Sequence, residues 1–525
     1  MCQQVSVKRT GMHTTACNRP LVLLKQHLVR KNCCSVTAIV VLSQILTIMK
    51  KIITLLGLIL LPVWMLQAQP SAAYVQNILT RGHMPGMNAV VIKDGHWMYQ
   101  NSWGKADIAN NKDMNSQSVF MLASISKTVV ATAIMQLWEK GAIRLDEDIN
   151  RYLPFEVRNP NYPNDSITTK MLLTHTASIN EDDNARLALW QYGDSPITLD
   201  TLLRNYFVPG GSYYNAAQNF YTYAPGTTYN YSNMGATLAA YLVQRITGDD
   251  FSHYCDTAIF QKLCMLNTSF KLAGFPDTTI IARPYMWYRN TLVDAGLYGS
   301  PDYPCGQLRS NITAMARFMT MYMQYGTYEH TRILDSATVA FMMQPQTPAN
   351  PGIGIIFKQY QVDNDVLWGH TGGNPGATSA MFFNYATRTG VIVMANGYGT
   401  ATYSMIDVLD TLYRYGRTTM PQPGDTFPAC GTVMAVNNLT ARTDAMPKLY
   451  PNPAAQMAWL EPGTATGDIL NVTLTDIQGR VIKQVFTGAA PSQIAIALHD
   501  VSNGLYLLQI HTPHSRHTLK LMVVQ

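Results

Sequence analysis

Ser124-Ile125-Ser126-Lys127 sets a hydroxyl and an amine three residues apart at the head of a helical run. In the stretch KTVVATAIMQLWEK, residues 127–140, apolar side chains recur at Val130, Ala133, Ile134 and Leu137, the spacing of one helix face. Gly141 follows where such a helix stops. Residues i and i+3 share a face, so the Lys127 amine comes within reach of the Ser124 hydroxyl. At a helix N-terminus the free backbone N–H groups and the dipole favour a developing negative charge. Together these turn an unreactive serine into a candidate nucleophile. A second copy of the spacing, Ser102-Trp103-Gly104-Lys105, lies in a stretch that does not read as a helix start. The alternative reading of Ser124 is a capping serine beside a solvated lysine.

The sequence around this pair alternates strands and helices. An apolar run Ala89–Ile92, the turn Lys93-Asp94-Gly95 and the run His96–Gln100 form a hairpin signal. Near the other end, Val366–Trp368, Ala380–Phe383 and Gly390–Ala395 read as strands and Ile406–Tyr415 as a closing helix. Residues 124–325 between them read as helices and loops. The pattern predicts an α+β domain over 72–415. Its antiparallel sheet is assembled from both ends of the domain and flanked by helices, with a helical subdomain inserted between.

The two termini have separate characters. The whole chain carries 38 basic and 32 acidic residues, but residues 1–68 hold eight basic side chains and no Asp or Glu. The remainder has 30 basic against 32 acidic, so the basic excess belongs to the N-terminal segment and argues for no nucleic-acid partner. Met49-Lys50-Lys51, the apolar run IITLLGLILLPVWMLQA and the small residue Ala68 read as a secretory signal peptide over 49–68. Residues 1–48 then read as an upstream extension, with translation starting at Met49. Outside that extension lie Cys255, Cys264, Cys305 and Cys430, which in an exported chain allow three pairings. None has zinc-ligand spacing and there is no HExxH, so no metal and no cofactor are expected.

Gly416–Thr440 is rich in Pro, Gly and Thr and reads as a linker over 416–440. After it come short alternating runs at Leu470–Leu474, Val481–Phe486, Gly504–Ile510 and Thr518–Val524, a small all-β sandwich over 446–525. His511, His514 and His517 read as a turn and a solvated strand face. The opening Tyr450-Pro451-Asn452-Pro453-Ala454, the turn Asp476-Ile477-Gln478-Gly479, Gly504-Leu505-Tyr506 and the final KLMVVQ strand resemble the type A sorting domain of the bacterial type IX secretion system. That resemblance implies an outer-membrane secretion machinery as partner and a secreted or cell-surface location.

Ala123-Ser124-Ile125-Ser126-Lys127-Thr128 resembles the nucleophile motif of serine β-lactamases and penicillin-binding proteins. Tyr231-Ser232-Asn233 is similar to the second motif of their class C branch, and His370-Thr371-Gly372-Gly373 stands where many relatives carry Lys-Thr-Gly. The stretches Leu172-Leu173-Thr174-His175-Thr176 and Asn374-Pro375-Gly376 fit the same family, in the same order along the chain. Ala177-Ser178 departs from the Ser-Gly that many relatives have after the Thr-His-Thr string.

The resemblance implies a β-lactamase/transpeptidase-like fold and a serine hydrolase working through an acyl-enzyme on esters or amides, with a small-molecule or peptide substrate. Ser124 would be the nucleophile, with Lys127 and Tyr231 sharing its proton. Lys127 serves as a base if burial and a neighbouring positive group lower its pKa, and Tyr231 serves as phenolate. Backbone N–H groups of Ser124 and Gly373 would form the oxyanion hole, and Asn233, His370 and Thr371 would meet substrate polar groups. Histidine at 370 removes a permanent cation for a substrate carboxylate, a pattern nearer the esterase and D-aminopeptidase relatives. His175 reads as a structural turn cap. The aromatic loop Tyr213, Tyr214, Phe220, Tyr221 and Tyr223 either walls the cleft or packs within its own loop. The competing function is a non-catalytic penicillin- or peptidoglycan-peptide-binding protein of the same fold.

Overall fold

The computed structural model of the protein describes residues 70–524 apart from 182–185, 399–400, 431–447, 462–468, 477–479, 490, 492 and 512–515. The extension and signal peptide expected over 1–68, residues 431–440 of the expected linker, the turn at 477–479 and His514 therefore lie outside the described residues.

The elements that build the site are, in chain order, helix α1 (Ala72–Arg81), strands β1 (Gly86–Lys93), β2 (His96–Asp107) and β3 (Lys112–Asp113), and helix α2 (Ser126–Glu139). They continue with α3 (Asn233–Thr247), α4 (Ile312–Met323), β4 (Lys358–Val362), β5 (Asp365–Asn374), β6 (Ala377–Asn384), β7 (Thr389–Ala395) and α5 (Ala401–Thr418). The strands form one seven-stranded sheet in the order β4-β5-β6-β7-β1-β2-β3. Neighbours run antiparallel, and β1 pairs with β7 from Met87↔Ala395 to Lys93↔Thr389. This join closes the first and last segments of the domain on each other, as the strand signals at its two ends required. The turn at Asp94-Gly95 uses φ of 52° and 78°, which suits a tight two-residue hairpin.

Both faces of the sheet are covered at its centre, where β1, β6 and β7 are buried along their whole length, while the outer strands β2 and β4 are only partly buried. Val91, Val391 and Val393 face α1 and α5, where Val75, Ile78, Val408 and Leu412 are fully buried. Val90, Ile92, Ile392 and Met394 belong to the other core, with Val129, Ala133 and Ile134 of α2 and Phe318 and Tyr322 of α4. Each such side chain contributes about 1.5–3 kcal/mol on burial. That second core presses α2 against the sheet and fixes where its N-terminus points.

Cys264 and Cys430 form a disulfide that closes 166 residues. Cys255 and Cys305 are free and buried. The start of the stretch read as a linker is tied to the domain. Helix α5 continues through Thr418, Phe427 packs edgewise on Trp97 and Tyr328, and Arg317 donates to Pro428 O at 2.5 Å. Sequence composition missed this because Pro and Gly mark irregular backbone whether or not that backbone is anchored.

The C-terminal segment forms strands β8 (Lys448–Tyr450), β9 (Met457–Glu461), β10 (Ile469–Asp476), β11 (Val481–Ala489), β12 (Ile494–Ala497), β13 (Gly504–His511) and β14 (Arg516–Val523). They make a three-stranded sheet β8-β9-β12 and a four-stranded sheet β11-β10-β13-β14. Leu460, Ile496, Val472, Leu474, Leu508 and Ile510 bury a shared core between them, the sandwich the alternating runs predict.

Candidate active site

Ser124 lies in a single 3-10 turn, Ala123–Ile125, that leads directly into α2. Ala123 has φ of 47°, a left-handed conformation unusual for a residue with a side chain, so the backbone bends sharply just before the hydroxyl. Neighbouring segments hold that bend. Leu122 N–H donates to Leu308 O at 2.8 Å, and Ser379 Oγ on β6 donates to Leu122 O at 2.7 Å. Ser126 Oγ donates to Ala123 O and accepts from Leu308 N–H. Strand β5 passes so close that a Cβ added to Gly372 would meet Leu122 O at 2.2 Å. Glycine is therefore required where the third motif crosses the nucleophile turn.

The spacing of Ser124 and Lys127 has the consequence expected of it. Lys127 is fully buried, and its Nζ donates to Ser124 Oγ at 3.1 Å, Asn233 Oδ1 at 2.7 Å and Cys305 O at 2.7 Å. An ammonium has three protons, and all three are engaged. Burial alone pushes this group down, but Tyr231, Cys305 and Glu181 more than offset that, and its pKa stands above the usual lysine value. The condition under which Lys127 would act neutral, a lowered pKa, is not what these neighbours produce. The groups packed around the amine are acceptors and acids, and these stabilise the charged form.

Tyr231 stands beside the pair, with the Lys127 ammonium 4.9 Å from its ring centre. Its buried hydroxyl makes no hydrogen bond of ordinary geometry. Burial pushes its pKa up, against the pull of Lys127. The ring is flanked by His175 at 4.4 Å and His370 at 6.2 Å between centres. His175 Nδ1 accepts from Ser232 N–H, while its backbone carbonyl accepts from Asn230 N–H. It therefore ties the two ends of the Tyr231 segment together. Burial, with Lys127 and Lys358 nearby, lowers its pKa to about 3. His370 Nδ1 donates to Thr371 O, and burial with the same two lysines holds its pKa well below the usual value. Both rings are neutral.

This packing bears on two expected substrate contacts. His370 is 2% exposed, with its ring 6.2 Å from that of Tyr231. Asn233 borders the cleft, but its amide is engaged within the protein at both ends, by Lys127 and by Glu181, which accepts from Nδ2 at 2.8 Å. Thr371 is half-buried and Gly373 exposed on β5, beyond the crossing at Gly372. Ser178 takes φ of 58°, and hydrogen bonds from Asn159 Nδ2 to its Oγ and from that Oγ to Tyr223 O hold it there. In the aromatic loop, Phe220 is core and Tyr221 stacks on Tyr223, so that loop packs on itself.

The cleft in front of Ser124 is small, with a cavity volume of about 10 Å³, and is bordered by Arg186, Trp190, Asp302, Gln307 and Asn374. Arg186 stands 3.8 Å from Glu181 and 3.5 Å from Asp302, and lies over the Trp190 ring. Cys305 Sγ donates to Asp302, and burial pushes its thiol up to about 12. Of these residues only Asn374 falls in a string that the sequence singles out. Glu181, Arg186 and Asp302 belong to no motif, and only tertiary structure brings them to one wall.

Residues 72–409 match the family model described as Beta-lactamase, and residues 448–525 match the one described as Secretion system C-terminal sorting domain. The sorting domain marks a secreted or cell-surface protein. Among curated relatives, "Protein flp" of Staphylococcus aureus (strain N315) is 25% identical over 197 residues, which is 38% of this chain and 37% of that protein. The chain thus spans little more than a third of the length of the relatives it matches. Among solved structures, D-amino acid amidase from Ochrobactrum anthropi SV3 with D-phenylalanine superposes at a TM-score of 0.54 with 20% identity, covering 65% of this chain and 97% of that one. A penicillin binding protein from Bacillus halodurans gives 0.53 at 20% identity, covering 65% and 99%. EstCE1, a hydrolase with promiscuous acyltransferase activity, gives 0.51 at 18% identity, covering 66% and 98%. At these identities the structures share the fold.

Proposed function

The chain belongs to the beta-lactamase family, and on that premise we propose that it is a serine hydrolase related to the class C branch, acting through an acyl-enzyme on esters or amides. One observation carries the reading: Ser124 Oγ accepts from Lys127 Nζ at 3.1 Å, beside the buried Tyr231 hydroxyl and at the edge of a small cleft.

Ser124 attacks the substrate carbonyl, which divides one difficult step into acylation and deacylation. In the resting state Lys127 is an ammonium and Tyr231 a phenol, since both pKa values are raised. The pair must lose one proton before it can accept the one from Ser124, and that proton belongs to the pair as a whole. With one proton gone, the remaining charge pairing of Lys127 and Tyr231 lies beside the serine hydroxyl. The group passes the proton taken from Ser124 to the leaving alcohol or amine as the acyl-enzyme forms, then takes a proton from the attacking water and returns it to Ser124 Oγ as the acyl bond breaks. The backbone N–H groups of Ser124 and Gly373 stabilise the oxyanion. His370 and His175, both neutral, hold the tyrosine ring in place. Export through the sorting domain delivers the enzyme to substrates outside the cell, with the secretion machinery as its partner.

A fluorophosphonate adduct on Ser124, found by mass spectrometry, tests the nucleophile. Turnover of nitrocefin, p-nitrophenyl acetate and a D-alanyl anilide, with Ser124→Ala as control, sorts the substrate class. The neutral His370 in place of a lysine favours ester or amide turnover over that of the β-lactam. Equal turnover by wild type and Ser124→Ala would defeat the mechanism. Absence of any adduct together with tight penicillin binding would favour the non-catalytic alternative.

A further inference from the structure

Glu181 belongs to none of the motifs, yet it is one residue removed from the nucleophile pair. Its carboxylate accepts from the backbone N–H of Asn233 and, through the other oxygen, from Asn233 Nδ2 at 2.8 Å. Asn233 Oδ1 in turn accepts from Lys127 Nζ at 2.7 Å, and Lys127 donates to Ser124 Oγ. A carboxylate only accepts and an ammonium only donates. An amide placed between them has one orientation that satisfies both, with its NH2 toward Glu181 and its oxygen toward Lys127. Turned the other way, it sets two donors against each other at Lys127 and two acceptors against each other at Glu181.

We infer that Glu181 is a positioning residue for the Ser124–Lys127 pair, acting through Asn233, whose amide it orients so that Oδ1 holds the lysine amine against the serine hydroxyl. Two further features support this. Asn233 is the first residue of α3, a helix of 15 residues, so the Glu181 carboxylate also caps a helix N-terminus, where a negative charge is favoured. Arg186 and Asn233 share Glu181 between them, which fixes the carboxylate from two directions. The kinetic consequence rests on the hydrolase reading; the geometric claim does not.

Glu181→Gln is the informative substitution, since it keeps shape and removes acceptor capacity. Both groups facing the Glu181 carboxylate on Asn233 are donors, so the NH2 of the introduced amide must oppose one of them. Relief comes by turning the substituted side chain away or by turning Asn233, and either loosens the hold on Lys127. The direct readout is the titration of Lys127 followed by NMR of 13Cε-labelled lysine in the full-length protein, its resonance identified with Lys127→Arg. The groups around this amine are Tyr231, Cys305 and Glu181, which raise its pKa, the two neutral histidines His175 and His370, and the like-charged Lys358. Loss of the Glu181 charge is therefore expected to lower the Lys127 midpoint.

In ester hydrolysis, kcat should fall on the order of tenfold to a hundredfold with little change in KM, the size of effect a misplaced reacting group produces. In an Asn233→Ala background the same Glu181→Gln change should have little further effect, since the intermediary is gone. A Lys127 midpoint and pH profile identical to wild type in Glu181→Gln would overturn the inference. So would full additivity in the double variant. If Glu181→Gln does not fold, Glu181→Asp carries the test: the charge stays but its reach shortens, so kcat should drop several-fold, and an unchanged kcat would count against the inference. If wild type labels no serine and turns over no ester, the hydrolase reading fails, while the Lys127 titration still decides the role of Glu181.

Discussion

Lys127 donates to Ser124 Oγ across 3.1 Å while its other two protons are bound by Asn233 and Cys305. The amine is thus held in its charged form at the nucleophile, and its pKa and that of Tyr231 both stand above their ordinary values. A base must first lose its proton, and a raised pKa makes the deprotonated form scarce at neutral pH. The rate of Ser124 modification by a fluorophosphonate, and kcat/KM for an ester, are therefore expected to climb from pH 7 into the alkaline range. A profile that is flat or falls above pH 7 would count against this protonation state.

Tyr231→Phe should separate activity from stability. The ring packs between His175 and His370, whereas the hydroxyl lies against Lys127 and Ser124 without a hydrogen bond of ordinary geometry. Removing a buried hydroxyl that makes no well-formed hydrogen bond costs little stability. Activity should nevertheless drop by about 10²–10⁴-fold, the usual contribution of a general acid–base group. Thermal melts and ester kinetics on the same preparation check both halves.

His175 predicts how stability depends on acid. Its folded pKa is about 3, below the ordinary value of 6.5 given for an unburied histidine, because burial disfavours the charged ring. Between these values the unfolded chain binds the extra proton, so stability is full above about pH 6.5 and is lost as pH falls toward 3. Melting temperatures across that range should decline. His175→Asn, whose Oδ1 can accept from Ser232 N–H in place of Nδ1, should flatten part of the decline, with buried His370 supplying the rest.

The Cys264–Cys430 bridge closes 166 residues and anchors the segment that follows α5. Reduction, or Cys430→Ala, is expected to remove about 2–5 kcal/mol of stability, mostly through the larger freedom of the unfolded chain. Chemical unfolding with and without reductant measures it. Activity of the folded fraction should persist, since neither cysteine borders the cleft.

Gly372→Ala tests the crossing of β5 over the nucleophile turn. The added carbon would meet Leu122 O at 2.2 Å and Ser379 Oγ at 2.4 Å, so either the strand or the Ser124 turn must move. We expect a loss of about 1–3 kcal/mol, as for other overpacked sites, together with a fall in kcat larger than stability accounts for. Wild-type kinetics in this variant would show that the close approach is dispensable.

Much of this architecture was legible along the chain. The hairpin at Asp94-Gly95, the three strands β5–β7 and the closing helix each carry a local signal, namely turn residues between apolar runs or a helical repeat. The Ser124–Lys127 contact follows from helix geometry alone. The free or bridged state of four cysteines does not, because pairing depends on which loops meet. His370 shows the same limit. Its place in a motif marked it for the cleft, but the packing of β5 against Tyr231 buried it.

By itself, then, the sequence determined those features that act over one turn or one strand. These are the serine and lysine on one helix face, the strands at the two ends of the domain, and the alternating runs of the C-terminal segment. Tertiary structure decided what surrounds that lysine. Asn233, Cys305, Tyr231 and Glu181 arrive from separate segments, and their combined acceptors and charges outweigh the burial that would otherwise neutralise the amine. Protonation depends on distance in space, which sequence spacing fixes only within a single element.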